Sequence, residues 1–436
     1  MASNPKWSYT GSSTGVLYTD RRDFYLQPQQ VAELWGMLTP FWSFTAKLSA
    51  GDAETSDPDF KMFQYESKLV DDMIFYQNGG SNRTFTDGSE VAGAITIDYA
   101  SGGSLNVVGL RAGTLVEIRD SNDVWKSTAI VTTYTSATSI KVTPLYTATS
   151  GTTAGADNDK YYIIGAAEAE GDVSPTAWAD ELEVVWGAAQ ITKTPLELTG
   201  TLLKMTRLRG ESSELARLRG TKYDEHQISK NRSFLFGVRY PALTAAPTSY
   251  AAYPAGSDNT RIIRTTWGIV SVLRRHGTSG TNKLSRTYGS YAWDDFVDDM
   301  KLAFKYKNLQ GIKYAFCGSG VMGFFSKKDT GILGNSSFVY NVDASNAITT
   351  RFGFDVQSVR TPFGQLNLVY EPLLRGQYDN TMVIVDPENL KRVVFRTPMY
   401  QTSIQANDAD LHKDQYFSDE GLGVTNIKSH TLVEFA

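Results

Sequence analysis

Residues 211–237, ESSELARLRGTKYDEHQISKNRSFLFG, constrain this chain more than any other stretch. No proline interrupts them, and Gly220 is the only weak interior position. They predict one helix about 35–40 Å long at roughly 1.5 Å per residue. Leu215, Leu218, Tyr223 and, more loosely, His226 share one narrow face, while nearly everything else is charged or polar. A helix polar almost all round either bridges across solvent or lies along a partner. Phe234-Leu235-Phe236 then reads as a plug into a core. Gly237 fits the position just past a helix end, where glycine accepts the left-handed conformation.

Composition narrows what such a helix can belong to. The chain has 436 residues, 41% hydrophobic and 12% aromatic, enough for two or three domains with sizeable cores. Net charge is −5, so no global basic field holds nucleic acid tightly. The single cysteine, Cys317, excludes an intrachain disulfide and a cysteine-rich zinc site. No apolar run approaches the roughly 18 residues of a membrane span. The N-terminus lacks the apolar core of a secretory signal, so folding in a cytoplasm is expected.

Taken in order, residues 1–26 are polar and aromatic-dotted, without a core of their own. Val31, Leu34, Trp35 and Leu38 predict a short helix over 29–38, stopped by Thr39-Pro40. Residues 60–76 read as extended first. Between 91 and 171 the texture changes to short strands at 95–97, 115–118, 125–133, 139–142 and 161–164, separated by Gly- and Ser-rich turns. Five such strands predict a small β-barrel or sandwich inserted with its ends close together. Residues 182–187 and 191–199 read as extended and able to pair with 60–75. After the long helix come a loose segment at 241–259 and a strand candidate at 261–273. Residues 290–307 form the best amphipathic helix, through Trp293, Phe296, Val297, Met300 and Phe304. Strands at 312–317, 354–359, 365–370, 382–385, 392–395 and 431–435, with a short helix at 321–326, make the C-terminal half mixed α+β.

The search for chemistry is negative. His226, His276, His412 and His430 lack paired metal-ligand spacing, so no metal is expected. The loop 277–283 lacks the Gly-Lys-Ser/Thr of a phosphate loop, and no cofactor is implied. Asp294, Asp295, Asp298 and Asp299 could form carboxylate pairs, but Trp293, Phe296 and Val297 define the buried face and leave the acids on the wet side. Cys317 sits in an apolar strand, where a structural thiol is the usual case. The basic residues Arg207, Arg209, Arg217 and Arg219 cluster at the start of the long helix, interleaved with Glu211, Glu214, Asp224 and Glu225. Interleaved charge favours ion pairs between subunits over a nucleic-acid groove. Arg207, Arg209, Arg217, Arg219, Glu214, Asp224 and Glu225 are therefore the candidate inter-subunit contacts, with no catalytic, cofactor-binding or metal residue among them.

An arm, a long extended excursion, a narrow-striped helix and an α+β body, in that order, resemble the major capsid proteins of tailed bacteriophages, the Hong Kong 97-type fold. The stretch 354–370, with Thr361-Pro362-Phe363-Gly364 at its turn, looks like the axial β-hairpin of that family, and Glu420-Gly421-Leu422-Gly423 with the final strand looks like the return into the peripheral domain. The resemblance implies an N-terminal arm at 1–45 and an extended loop at 46–210 carrying the β-insertion at about 91–171. It further implies a peripheral domain with spine helix at 211–290 and 391–436, and an axial domain at 291–390. It also implies a structural protein, not an enzyme, that self-assembles into pentamers and hexamers of an icosahedral shell. Implied partners are copies of itself, a portal, a scaffold or decoration protein, and packaged double-stranded DNA held by weak non-specific contacts, with no membrane. The implied location is the virion, with assembly in the host cytoplasm. A phage tail protein or carbohydrate-binding structural protein is the alternative.

Overall fold

The computed structural model describes residues 39–48, 53–65, 74–77, 83–91, 94–98, 110–136, 139–148, 152–168, 170–171, 182–201, 214–239, 263–306, 311–332 and 356–435. The chain folds as two compact units: one from the sequence up to Gln64 and from Glu183 onward, the other from Tyr65–Leu182.

The first unit opens with α1 (Pro40–Leu48), β1 (Ala53–Glu54) and β2 (Lys61–Gln64). The second supplies β3 (Ile74–Gln77), β4 (Thr84–Thr86), β5 (Ile95–Asp98), β6 (Thr114–Arg119), β7 (Trp125–Ser136), β8 (Ser139–Thr147), β9 (Thr152–Ala154) and β10 (Lys160–Ala166). The first unit resumes with β11 (Glu183–Trp186), β12 (Gln190–Thr199), α2 (Glu214–Phe236), α3 (Ile269–His276), β13 (Lys283–Arg286), α4 (Trp293–Ala303), β14 (Ile312–Cys317) and α5 (Ser319–Ile332). It closes with β15 (Val356–Thr361), β16 (Gly364–Tyr370), β17 (Thr381–Val385), β18 (Leu390–Gln401), β19 (Leu411–Val424) and β20 (Thr431–Phe435).

A six-stranded sheet in the order β13-β20-β17-β14-β16-β15 is the centre of the first unit. Strand alternation sends successive residues to opposite faces, and here both faces are covered. Phe316, Val383, Val385 and Leu432 point to one side, where Phe41 and Phe44 of α1 and Ile269, Val270 and Leu273 of α3 meet them. Ala315, Cys317, Met382, Ile384 and Val433 point to the other, against Phe296 and Met300 of α4 and Val321 and Phe324 of α5. This is why β17, TMVIV, is buried at every position. A second sheet, β1-β18-β19-β12, runs beside α2.

Several expectations change. Pro40 begins a helix, α1, since its missing N–H falls in the first turn, where no intrahelical acceptor awaits it; the helix expected at 29–38 lies outside the described residues. The strand expected at 261–273 is helical from Ile269. Ile269, Val270, Val272 and Leu273 are buried at i, i+1, i+3 and i+4, a helical face that partly coincides with alternation. Gly268 before it touches Gly237: its N–H donates to the Gly237 carbonyl at 2.8 Å. Gly237 itself is not left-handed. A Cβ there would lie 2.5 Å from the Ser233 oxygen and 2.6 Å from that of Thr266, so glycine serves close backbone approach. β2 pairs β11 as expected, but β12 pairs β19 along ten residues and not the 60–75 stretch. β20 lies between β13 and β17, so one sheet takes strands from both sides of residue 390.

The second unit is a closed barrel in the order β10-β3-β5-β8-β7-β6, with β4 and β9 as a separate two-stranded ribbon. Closure removes the free edges a small sheet would expose. Phe75, Val116, Ile118, Val131, Ile140, Val142 and Tyr161 fill it. Inside, Phe75 and Tyr161 stack with centroids 5.0 Å apart, and the Tyr161 hydroxyl donates to Gln77 at 3.2 Å. All five strands read from the sequence are present. The sixth, β3, starts well before residue 91.

Candidate assembly site

The long helix is helical from Glu214 to Phe236, and its inward face holds more than the apolar residues that mark it. Leu218 is buried, and Leu215 packs with it on Leu196 and Leu198 of β12. Tyr223, expected inward, is 47% exposed. His226, expected on that face, is buried, and so are Gln227, Lys230 and Asn231, followed by Phe234 and Leu235. These polar residues share the inward stripe at i, i+1, i+4 and i+5, so each must find a partner or forfeit a hydrogen bond.

The partners of His226, Lys230 and Asn231 come from far along the chain, while the Gln227 side-chain oxygen is left without a hydrogen bond. His226 lies between the Thr194 hydroxyl on β12 and the Ser418 hydroxyl on β19, 3.0 Å from each. Burial, then the charge of Lys230, lowers its pKa to about 4, so the ring is neutral at pH 7. Lys230 reaches Glu420 at 3.2 Å and sits 4.1 Å from the centre of the Trp42 ring. Arg392 flanks the same ring at 5.4 Å. The Trp42 indole N–H donates to Glu420 at 3.3 Å, and its backbone N–H to Asn231 at 2.8 Å. Asn231 in turn donates to Glu371 at 2.9 Å, and the Glu371 carboxylate accepts the Phe41 N–H at 3.0 Å. Glu371 thus caps the first turn of α1 from 330 residues away. Burial raises its pKa to about 7, against hydrogen bonds from Phe41, Leu373 and Asn231 that lower it.

The candidate contacts divide. Arg207 and Arg209 lie outside the described residues. Glu214 begins the helix, and nothing further is described of its side chain. Arg217 is half-buried and Asp224 exposed on the helix surface. Glu225 pairs with Lys222 at 2.8 Å, one turn away. Arg219 is engaged inside its own chain: it donates to Asp414 at 2.8 Å and to the Tyr400 hydroxyl at 2.6 Å. The Asp414 pKa falls to about 2: burial raises it, but hydrogen bonds from Tyr400 and Arg219 outweigh that effect.

The other chemical candidates are likewise structural. Asp299 is not on the wet side; it is fully buried, pairs with Arg286, and accepts the Tyr291 hydroxyl at 2.8 Å. Cys317 is buried, which pushes its thiol pKa far up. Among the described residues no cluster of three or more His, Cys, Asp or Glu is placed to hold a metal, and no helix is long and apolar enough to cross a membrane. Lys313 was not singled out by the sequence. It is fully buried, and its ammonium donates to the carbonyls of Ala303 and Tyr306 at 2.7 Å and of Ser429 at 2.6 Å. Its one signal was a lysine inside the apolar run IKYAFC.

These charged groups tie distant elements of the first unit together. The family model of the SU10 major capsid protein matches residues 38–435. The chain belongs to that family, and its copies build the icosahedral shell of a bacteriophage capsid. Among solved structures, the capsid of the native GTA particle is 8% identical, with 94% of this chain and 95% of that one covered and a TM-score of 0.41. The capsid of Myoviridae phage XM1 is 8% identical over 97% and 100% of the two chains at a TM-score of 0.43. The cyanophage Pam1 capsid is 10% identical over 63% and 82% at 0.36. No curated protein matches the sequence.

Proposed function

We propose that this major capsid protein assembles as pentamers and hexamers around double-stranded DNA, with the Hong Kong 97-type division of labour. The family match over 38–435 carries the reading. In this division an N-terminal arm runs up to α1, and the extended loop of 46–210 carries the barrel and reaches a neighbouring subunit. α2 is the spine of a peripheral domain, and the segment from α4 to β17 forms the axial part. With a net charge of −5 the chain has no global basic field, so its contact with DNA is weak, local and non-specific. A portal complex and a scaffold or decoration protein complete the partner set, and assembly takes place in the host cytoplasm. α2 lies along adjacent subunits, with Arg207, Arg209, Arg217, Glu214, Asp224 and Glu225 as the contacts to test, whereas Arg219 also holds the fold through Asp414. Electron microscopy of the purified protein tests the reading. Closed shells or ring-shaped capsomers are expected; a monomer whose state is independent of concentration, with its arm and loop ordered, would rule it out.

A further inference from the structure

The first unit carries two charged patches of opposite sign, on opposite faces of its six-stranded sheet. On the side covered by α1 and α3, Phe236 at the end of α2 stacks on Tyr378 with centroids 4.7 Å apart. The Arg274 guanidinium lies 5.0 Å from the centre of the same Tyr378 ring. Arg275 follows it on α3, and the Arg375 carbonyl accepts the Tyr378 N–H at 3.4 Å. Arg232 stands one turn before Phe236 on the same side of α2. Arg274 is taken by Glu434, to which it donates at 2.8 Å. Arg232, Arg275 and Arg375 are exposed and have no ion pair among the described residues. The other acid here, Asp379, accepts the Ser319 hydroxyl at 3.0 Å, and the patch stays basic. On the opposite side, α4 covers the sheet through Phe296 and Met300 and leaves Asp294, Asp295 and Asp298 exposed. Asp295 is used at the helix start, where it accepts the Ala292 N–H at 2.8 Å. Asp294 and Asp298 lie side by side, one turn apart, with no ion pair among the described residues. Lys301, a turn further, is the one base of α4.

Helix dipoles account for Arg275 in the last turn of α3 and for Asp294 in the first turn of α4. They do not account for Arg232, which precedes the last turn of α2, for Arg375, in the connection from β16 to β17, or for Asp298. Arginine beside stacked aromatic rings is the composition of a protein contact, and the chain itself carries the complement. A two-fold axis through either patch would set like charge against like. Only a head-to-tail contact joins the basic patch of one copy to the acidic patch of the next. Because the two patches lie on opposite faces of one sheet, such a contact repeats around a ring. We propose that the patch of Arg232, Arg275 and Arg375 docks on Asp294 and Asp298 of the next copy, and that this contact closes the capsomer ring. The contact rests on the pentamer and hexamer reading, which supplies the ring.

Two double variants test it: Arg275→Glu with Arg375→Glu, and Asp294→Lys with Asp298→Lys. All of these side chains are exposed, and thermal unfolding verifies that each variant folds. In each, the protein concentration needed for assembly is expected to rise about tenfold or more, because like charges then face each other. An equimolar mixture is expected to associate again, since each variant now complements the other. Its copies must alternate around a ring, so electron microscopy should show six-membered rings and no five-membered ones. Either variant assembling alone as wild type does, or a mixture that stays apart, would overturn the contact and leave the shell reading intact. Five-membered rings in the mixture would overturn it as well. An arginine variant that assembles normally but loses salt-sensitive retention of a double-stranded DNA fragment would overturn it in favour of DNA as the occupant. If wild-type protein forms no rings, the pentamer and hexamer reading fails. Sedimentation of the two variants together then decides the contact: a salt-sensitive complex supports it, and independent sedimentation overturns it.

Discussion

Glu371→Gln is the most informative perturbation of the body. The carboxyl is fully buried and caps α1 through the Phe41 N–H, so its ionisation is coupled directly to docking of that helix. Burial raises its pKa from 4.5 to about 7. The folded state therefore holds the proton more tightly than the unfolded chain. The stability this group contributes is complete below pH 4.5 and is lost as pH rises toward 7, after which it stays lost. A difference of about 2.5 pKa units corresponds to roughly 3 kcal/mol. Glutamine keeps the shape and an acceptor for Phe41 but cannot ionise, so E371Q should lack this slope. The assay is denaturant unfolding of wild type and E371Q at intervals from pH 4.5 to 8, reading the transition of the unit that contains α1. Other titrating groups act equally on both proteins and cancel in the difference. The advantage of wild type over E371Q should shrink by roughly 3 kcal/mol from pH 4.5 to 7. A difference independent of pH over that range would refute the account of a buried, protonated carboxyl holding α1.

Three further outcomes follow from the geometry. Gly237→Ala should destabilise the first unit by several kcal/mol, on the order of 3 or more, because its Cβ would lie inside contact distance of two carbonyl oxygens; thermal unfolding of the variant checks this. Asp299→Asn should cost about 3 kcal/mol, toward the low end for a broken buried ion pair, since the Arg286 side chain keeps some access to water; denaturant titration measures it. His226 is neutral in the fold with its pKa lowered to about 4, so its contribution is present above pH 6.5 and declines as pH falls toward 4. His226→Gln should remove that acid-side loss, seen as a flatter melting temperature between pH 6.5 and 4.

Elements whose neighbours are local or whose faces are cleanly segregated were legible in the sequence. The barrel strands alternate because each has one wet and one dry face, and α4 keeps Phe296, Met300 and Phe304 on one stripe. α2 was legible as a helix and through Leu215, Leu218 and His226 in its orientation, but not in its buried polar residues. Periodicity weighs residues by hydrophobicity, and here Lys230 and Asn231 are buried because Glu420, Glu371 and Trp42 wait for them at long sequence separation. The same blindness hid β19, whose buried Asp414, Asp419 and Glu420 read as surface. Of the candidate contacts, Arg219 meets a carboxylate within its own chain that sequence spacing does not reveal. Its carboxylate, Asp414, lies 195 residues away on the same chain.

The chain leaves the first unit after Gln64 and re-enters it at Glu183, and these two residues face each other as the register pair at one end of the β2–β11 ribbon. A pair of neighbouring exits makes everything between them a cassette. Joining Gln64 to Glu183 through a tight turn would turn the ribbon into an ordinary hairpin. Splicing in any foreign domain whose termini lie side by side would ask of the body only a modest closure entropy, which grows slowly with the length inserted. The junction is thus a natural place to graft a reporter or an antigen onto a shell protein, and a natural place for one capsid lineage to gain or lose a module whole.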